Sequence, residues 1–247
     1  MHTRIVIPCF NEAQRLPAST LREYLRLQAN VGFVMVNDGS RDETLAVLHE
    51  LQDAFPERVD VIDLPQNRGK AEAVRVGMLQ AVQEETVLVG YWDADLATPL
   101  AAIDDFAQVL RAKPEVDIVM GARVAFLGRD IHRRALRHYL GRVFATAASL
   151  ALGLVVYDTQ CGAKLMRVTP TTAALFAQPF RSRWIFDVEL LARYLNSGGK
   201  VQGLYEFPLH CWRDIGASKV VARDYLRAIF ELFAIYLTYG RVRRLRS

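Results

Sequence analysis

The sequence predicts an α/β fold in which a mainly parallel sheet is covered by helices on both faces. From the N-terminus to Gly121, short apolar segments alternate with helical segments, and the apolar segments are hydrophobic throughout instead of at every second residue. Strands of this kind are typical of parallel sheets that are buried on both faces. A chain of 247 residues is long enough to bury such a core, and we expect a single domain.

Five strands and four helices are predicted in this first half. The strands are Ile5–Ile7, Gly32–Asn37, Val59–Leu64, Val87–Trp92 and Val116–Gly121. The helices run from Leu16 to about Ala29, from Ser40 through Leu51, from Lys70 to about Gln83, and from Thr98 to about Lys113. Because Pro8 cannot donate to a strand ladder, we expect the first strand to end there. Ser40 and Glu43 have the spacing of a capping box, and Pro17 and Pro99 suit the first turn of a helix.

After Gly121 the alternation ends. Residues 129–156 read as one or two helices that are basic at the start and apolar afterwards, followed by a polar turn at 158–164. Thr169 and Pro170 cap a short helix, 184–196 form another helix, and 200–207 form a late strand. Residues 212–219 read as a loop before a final helix with an aromatic and aliphatic face and an arginine-rich tail.

Composition narrows the class of protein. The net charge of +4 and the pI near 9.0 are compatible with phosphorylated substrates or an anionic membrane surface. Three cysteines without a C-x-x-C pair argue against a zinc site and a disulfide framework, and favour a reducing compartment. A strand begins almost at the N-terminus, so we expect no signal peptide and a cytoplasmic location. No apolar run reaches the roughly 18 residues that a spanning helix needs.

Two carboxylates end the fourth strand. Asp93 and Asp95 are two residues apart, so a strand directs both side chains to one point beyond its carboxyl end. Oxygen ligands there suit Mg²⁺ or Mn²⁺, with the phosphates of a bound nucleotide supplying further oxygens. The alternative is that the two acids only end a strand and cap the next helix, and a bare D-x-D leaves both interpretations open.

Polar residues also follow the other predicted strands. They are Asn11-Glu12, Asn37-Asp38, Asn67 to Lys70 and Gly121 to Arg123. In a parallel sheet the carboxyl ends of the strands lie along one edge, which is where such sheets bind ligands. We therefore predict a substrate site at this edge, with Asp93 and Asp95 at its centre.

In their order along the chain, these motifs resemble those of the family 2 glycosyltransferases, and most specifically the dolichyl-phosphate glucosyltransferases. The matching segments are I-P-C-F-N-E (7–12), V-N-D-G-S (36–40), N-R-G-K (67–70), D-A-D-L-A-T (93–98), M-G-A-R (120–123), D-T-Q-C-G-A-K (158–164), F-D-V-E-L-L (186–191) and W-R-D-I-G-A-S-K (212–219). The resemblance implies the GT-A fold with C-terminal interfacial helices. It also implies that residues 1–123 bind a nucleotide sugar and residues 124–247 face the acceptor and the membrane.

The resemblance assigns roles to individual residues. It places the nucleotide sugar against Pro8, Asn11, Glu12, Asp38, Gly69, Lys70, Asp93, Arg213 and Lys219, with Arg68 and Ser218 nearby. It assigns the Mg²⁺ or Mn²⁺ ion to Asp93 and Asp95, and the catalytic roles to Asp95, Arg123 and Asp187. Because Asp187 and Glu189 are two residues apart, they cannot share one helix face. We expect Asp187 to contact the sugar or a basic residue and Glu189 to face solvent.

The acceptor implied by the resemblance is a polyprenyl phosphate, whose oxygen is already anionic and needs no strong general base. Guanidinium groups match phosphate geometry. Arg123 matches the arginine that follows the fifth strand in this family, so the resemblance implies that it binds the acceptor, and we expect one or more of Arg133, Arg134 and Arg137 to bind the same phosphate. For these last three, a solvated helix face is the alternative. His132, His138 and His210 are interpreted as structural.

The resemblance therefore implies a metal-dependent inverting enzyme that transfers glucose from UDP-glucose to a polyprenyl phosphate, dolichyl or undecaprenyl, at the cytoplasmic membrane face. Ala97 favours glucose, since the mannosyltransferase relatives carry a metal-binding glutamine at that position. Three alternatives stay open: GDP-mannose as donor, a non-lipid acceptor, and a non-catalytic nucleotide-sugar-binding module. We expect peripheral membrane contact through 143–156 and the C-terminal helix, unless both only pack on the sheet, and no nucleic acid partner.

Overall fold

The computed structural model describes residues 2–82, 85–132, 135–214 and 222–240. The strands are β1 (His2–Cys9), β2 (Val31–Asp38), β3 (Val59–Leu64), β4 (Thr86–Trp92), β5 (Ile118–Ala122), β6 (Asp130–His132), β7 (Ala163–Arg167), β8 (Leu204–Pro208) and β9 (Cys211–Arg213). The helices are α1 (Ala18–Leu27), α2 (Thr44–Ala54), α3 (Lys70–Ala81), α4 (Ala102–Ala112), α5 (Ala135–Leu152), α6 (Pro170–Ala174), α7 (Phe186–Asn196) and α8 (Ala222–Ile235). A π-helical turn, Tyr236–Gly240, follows α8.

Seven strands form one sheet in the order β3-β2-β1-β4-β7-β5-β8. The pairs β3-β2, β2-β1, β1-β4 and β5-β8 are parallel, whereas β7 runs antiparallel to both β4 and β5. The two remaining strands, β6 and β9, pair in parallel as a separate small sheet. The predicted mainly parallel sheet is confirmed, and the five strands predicted in the first half all belong to it.

Strand β7 is not among the predicted strands, because its first two residues lie in the segment interpreted as a polar turn. It fits between β4 and β5 because Gly90 has no side chain: a Cβ at Gly90 would lie 2.2 Å from the carbonyl oxygen of Lys164. The insertion brings the 158–162 turn, which precedes β7, next to the end of β4. This placement matters for the site, since Asp93 follows directly after β4.

Two predicted element ends in the first half were wrong for identifiable reasons. Strand β1 continues through Pro8 to Cys9, but its pairing with β4 ends at Val6 opposite Tyr91, so Pro8 has a strand neighbour on one side only. Ser40 does not cap α2, which begins at Thr44. The Ser40 hydroxyl instead accepts a hydrogen bond from the backbone N–H of Asn11 at 3.0 Å.

Other boundaries also differ from the prediction. Helix α4 begins at Ala102 instead of Thr98, because Thr98 is buried and its carbonyl accepts a hydrogen bond from the Trp92 indole at 2.9 Å. The segment predicted as helix from residue 129 contains strand β6 before α5 begins, and part of the loop predicted at 212–219 is strand β9. The predicted cap at Thr169 is confirmed, since its hydroxyl accepts from the N–H of Thr172 at 3.1 Å.

Apolar residues fill both faces of the sheet. One cluster packs the sheet against α3, α5, α7 and α8, and the other packs it against α1, α2 and α4. Successive residues of a strand serve opposite clusters, as with Tyr91 in the first and Trp92 in the second. Asp93 continues the alternation toward the first face. Among the described residues, no helix combines the length and the apolar character required to cross a bilayer.

Candidate functional site

The loops that follow β1 and β2 are joined by hydrogen bonds at one edge of the sheet. Asn11 adopts a left-handed backbone conformation with φ of 52°, which asparagine tolerates better than most residues. Its side-chain oxygen accepts from the N–H of Arg41 at 2.8 Å, and the N–H of Glu12 donates to the Thr44 hydroxyl at 2.8 Å. The predicted nucleotide residues Pro8, Asn11 and Glu12 therefore lie beside the loop that Asp38 opens.

Asp38 orders the loop that precedes α3. Its carboxylate is buried and accepts hydrogen bonds from the backbone N–H groups of Arg68 at 2.7 Å and Gly69 at 2.8 Å, and from the Asn67 amide at 2.9 Å. Burial raises the pKa of Asp38, and the two backbone donors offset part of that rise. The contact with a base or ribose stays a prediction; the structure shows that Asp38 holds residues 67–69 beside the end of β2.

Lys70 connects this loop to the two acids after β4. It is the first residue of α3, and its ammonium group forms an ion pair with the carboxylate of Asp93. Burial lowers the pKa of Lys70, but the negative charges of Asp93, Asp187 and Asp95 raise it by more. The pKa of Lys70 is therefore above its usual value. Lys70 is thus a fixed cation at the place where the sequence predicts a diphosphate.

Asp93 and Asp95 stand on a tight turn. Leu96 has a left-handed φ of 51°, which is unusual for a leucine, and the N–H of Ala97 donates to Asp95 at 3.0 Å. Burial raises the pKa of Asp95, and the charge of Asp93 raises it further. A divalent cation between the two acids would relieve both effects, so the oxygen-only donor set fits the predicted ion. In the described chain, no set of three or more His, Cys, Asp or Glu side chains is arranged to hold a metal. Substrate phosphate oxygens are the expected further ligands, because proteins usually hold Mg²⁺ through one or two carboxylates together with such oxygens.

Gly162 packs directly against Asp93. The N–H of Asp93 donates to the carbonyl of Gly162 at 2.9 Å. A Cβ on Gly162 would lie 2.0 Å from a carboxylate oxygen of Asp93, so the carboxylate rests directly against the glycine backbone. Only glycine leaves room for this orientation of Asp93.

Arg123, which follows β5, is held by Asp158 at the start of the same turn. Its Nε and Nη2 atoms donate to the two carboxylate oxygens of Asp158 at 2.6 and 2.8 Å, and its guanidinium lies 5.3 Å from the ring centre of Trp212. Burial lowers the pKa of Arg123, but Asp158 more than compensates, so its pKa is raised and the charge is permanent. Asp158 occupies one edge of the guanidinium fork. No described residue accepts from the remaining Nη1, which suits that atom to an anion.

Asp187 does not face the open edge but lies in the core. It is 3% exposed and accepts hydrogen bonds from the Tyr91 hydroxyl and from the Lys164 ammonium, the latter at 2.5 Å. Burial raises the pKa of Tyr91 well above its usual value. The predicted contact between Asp187 and a basic residue is confirmed. Its contact with a sugar stays a prediction.

The expectation that Glu189 faces solvent was wrong. Glu189 is fully buried, where its carboxylate accepts from the N–H groups of Arg181 and Ser182, each at 2.9 Å, and pairs with Arg193 at 2.8 Å. A carboxylate can be buried in this way because charged and backbone donors replace its hydration. The two acids of α7 do occupy different faces, as their spacing requires.

Arg213 reaches the D-x-D turn through its backbone. Its N–H donates to the carbonyl of Ala97 at 3.3 Å, whereas its exposed guanidinium pairs with Asp130 at 2.9 Å. That contact with Asp130 raises the pKa of Arg213. His132 also contacts Asp130, at 2.5 Å, and His210 lies 3.8 Å from Asp105. Arg133, Arg134, Ser218 and Lys219 lie outside the described residues, as do the side chains of Arg137 and His138.

Four residues of this arrangement have no role assigned from the sequence. They are Tyr91, Asp158, Gly162 and Lys164. Three of them belong to the segment D-T-Q-C-G-A-K, whose local pattern indicates only a polar turn. The sequence does contain one indication of the role of Lys164. A lysine between small and apolar residues at the start of a buried strand needs an acidic partner, and this could have pointed to a buried ion pair.

Comparison with known proteins places this arrangement in a family. Residues 4–172 match the family described as Glycosyl transferase family 2. The dolichyl-phosphate beta-glucosyltransferase of Drosophila melanogaster is 34% identical over 258 residues, which cover 95% of this chain and 74% of that protein. The protein of the same name from Mus musculus is 33% identical over 253 residues, covering 92% and 77%.

A solved structure has a similar fold. It is glucosyl-3-phosphoglycerate synthase from Mycobacterium tuberculosis in complex with Mn²⁺, UDP and glucosyl-3-phosphoglycerate. The TM-score is 0.68 at 18% identity, and the match covers 96% of this chain and 79% of that one. At this identity the likeness concerns the fold alone.

Proposed function

We propose that this chain, which belongs to glycosyl transferase family 2, transfers glucose from UDP-glucose to a polyprenyl phosphate. The family and the GT-A fold are those that the motifs predicted. The observation that carries the proposal is the arrangement of Lys70, Asp93 and Asp95 beside the loop ordered by Asp38. It supports a diphosphate site with a fixed cation and two carboxylates. The names of the curated relatives support glucose and a lipid phosphate.

The proposed reaction is a direct displacement. A phosphate oxygen of the acceptor forms a bond to the anomeric carbon of glucose while the bond from that carbon to the diphosphate breaks, and UDP leaves. Mg²⁺ or Mn²⁺ held by Asp93 and Asp95 would neutralise charge on the leaving diphosphate. Lys70 adds a second positive charge at the same place. Lys219, Arg213 and Gly69 are proposed to contact the donor, and Glu12, Asn11 and Pro8 to line its nucleoside end.

Arg123 is proposed to bind the acceptor phosphate. Its guanidinium is held by Asp158 and Trp212, so little side-chain entropy is lost when the edge that no described residue occupies binds an anion. Arg133, Arg134 and Arg137 are proposed as further contacts of that phosphate. Apart from Arg213 and Lys219, the proposed donor contacts lie in residues 1–123. The proposed acceptor-facing half is residues 124–247, together with Arg123 at its boundary.

A transfer assay tests the proposed substrates. We expect labelled glucose to enter a solvent-extractable product only when UDP-glucose, a polyprenyl phosphate and Mn²⁺ or Mg²⁺ are all present. GDP-mannose should support at most about 1% of that rate, because a site built around one donor discriminates through several lost contacts. 3-Phosphoglycerate serves as the water-soluble acceptor. Label that stays in the aqueous phase with every donor would exclude the lipid acceptor. In a separate measurement, UDP with Mn²⁺ should raise the melting temperature of the protein.

Two adjoining helices expose apolar side chains in a pattern that supports peripheral membrane contact. On α8 and the following turn, Ile229, Phe230, Phe233 and Leu237 are between 46% and 73% exposed, whereas Ala228, Leu232 and Ile235 on the other face are buried. Helix α5, which packs against α8, exposes Tyr139, Val143 and Leu150. An exposed apolar surface of this extent is typical of contact with a protein or a membrane. We propose that it lies on the lipid that carries the acceptor.

Vesicle flotation tests this contact. Replacing Phe230 and Phe233 together by Ser should lower binding to vesicles of phosphatidylcholine and phosphatidylglycerol at least about tenfold, since each aromatic side chain loses roughly 1.5–3 kcal/mol of burial. The double variant Leu27→Ser and Leu79→Ser is the control, because both leucines are exposed but lie on other helices. Equal loss in both double variants, or no loss in either, would exclude α8 as the membrane surface.

A further inference from the structure

We propose that Lys164 is a positioning residue that fixes the 158–162 turn and, through that turn, orients both Asp93 and Arg123. The inference rests on the proposed function, because it takes Asp93 as a metal ligand and Arg123 as the residue that binds the acceptor phosphate. In this role a fully buried lysine affects the binding of both the metal ion and the acceptor.

Lys164 is a fully buried cation with three acceptors. Its ammonium donates to the carbonyl of Thr159 at 3.1 Å, to the carbonyl of Cys161 at 2.8 Å and to the carboxylate of Asp187 at 2.5 Å. An ammonium group has three N–H donors, so every donor is used. Two of the three hydrogen bonds hold the backbone of a turn, which is more than neutralising Asp187 would require.

The turn held by Lys164 contacts the site at both ends. At its first residue, the Asp158 carboxylate accepts two hydrogen bonds from the Arg123 guanidinium, at 2.6 and 2.8 Å. At its last residue, Gly162 accepts from the N–H of Asp93 and lies against the Asp93 carboxylate. Lys164 bonds to carbonyls between these two points, so a change in the turn would move both groups together.

Asp187 and Tyr91 tie this lysine to the scaffold. Asp187 stands in the first turn of α7, and Tyr91 stands in β4 two residues before Asp93. Tyr91 and Lys164 both donate to the Asp187 carboxylate, which joins α7, β4 and the turn in one buried network. Buried ion pairs contribute little net stability compared with apolar residues of the same volume. The network is therefore better explained by the geometry that it imposes than by the stability that it adds.

The variant Lys164→Met tests the proposal, because methionine keeps much of the aliphatic volume but cannot donate to the carbonyls. We expect the Kd for Mn²⁺ in the presence of UDP, measured from the EPR signal of free Mn²⁺, to rise at least about tenfold, as is typical when a group that orients a metal ligand is lost. The KM for the polyprenyl phosphate should rise by a similar factor. The Mn²⁺ measurement requires no transfer, so it separates this inference from the proposed substrates.

Arg193→Met is the matched control. Arg193 also belongs to a buried network of α7, where it pairs with Glu189. It donates to the carbonyls of Leu175, Gln178 and Pro179, and none of these residues belongs to the proposed site. It should lower the melting temperature as Lys164→Met does, yet leave the Kd for Mn²⁺ and the acceptor KM within about twofold of wild type. If the two variants changed Kd and KM equally, or if Lys164→Met changed neither, the positioning role would be excluded.

A double-mutant cycle tests the route through the turn. Lys164→Met and Gly162→Ala both act on Asp93, so their effects on the Kd for Mn²⁺ should be far from additive, whereas unconnected sites add. Should Lys164→Met fail to fold, Lys164→Gln takes its place, because it keeps a donor and a similar volume. Additive effects of the two substitutions would exclude the shared route.

Discussion

Replacing Asp95 by Ala is expected to lower the rate of transfer by at least about 1,000-fold, or roughly 4 kcal/mol, the range over which a metal ion stabilises developing charge. The melting temperature without metal should change little or rise slightly. Burial raises the pKa of Asp95, which means that the folded protein bears a cost for keeping this carboxylate ionised at neutral pH. Activity and stability should therefore separate at this position.

The measurement is initial rate against Mn²⁺ concentration, together with thermal unfolding in the presence and absence of metal. Asp53→Ala on α2 is the control, because Asp53 is exposed and lies outside the site. Mn²⁺ with UDP should stabilise the wild type and Asp53→Ala, but not Asp95→Ala. Retention of more than about a tenth of the activity by Asp95→Ala would contradict the assignment of the metal site.

Asp95 is a better position for this test than Asp93, because its substitution separates the effect on activity from the effect on stability. Asp93 forms the ion pair with Lys70 and also packs against Gly162. Its removal would leave the Lys70 charge without its nearest partner, so stability and activity would change together. The carboxylate of Asp95 accepts a hydrogen bond from the backbone N–H of Ala97, which water can replace on truncation.

The edge of the sheet that carries the site could be predicted from local patterns. Apolar runs that stop at Asn11, Asp38 and Asp93 identify strands whose carboxyl ends meet, because parallel topology leaves few other arrangements. Strand and helix ends were placed less well wherever a residue formed a distant contact. Thr98 shows this, since its carbonyl bonds to Trp92 and the helix begins only at Ala102.

The inner part of the site could not be read in the same way. The antiparallel insertion of β7 depends on Gly90 and Lys164, which lie far apart in the chain, and no periodicity within either segment reports such a contact. The spacing of Asp187 and Glu189 correctly predicts different faces of α7. It does not reveal that both faces are buried, because burial depends on Lys164 and Arg193 as partners.

Gly162→Ala is expected to lower activity at least about 100-fold, although only one methyl group is added. The new Cβ would lie 2.0 Å from a carboxylate oxygen of Asp93, so either that carboxylate or the backbone of the turn has to move. Displacing a catalytic or metal-binding group by about 1 Å costs on the order of 100-fold in rate. The loss should appear as a higher Mn²⁺ requirement, because Asp93 is the group displaced.

Gly128→Ala is the control for the added methyl group. Gly128 has a positive φ of 85°, and apart from its two chain neighbours no atom of the described residues lies within 4 Å of the position that a Cβ would take there, so alanine strains the backbone without touching a described site residue. We expect it to lower stability slightly and leave the Mn²⁺ requirement unchanged. If Gly162→Ala kept wild-type activity, Asp93 could not need its observed orientation. In that case the two acids after β4 would bind the ion from a geometry that the 158–162 turn does not set.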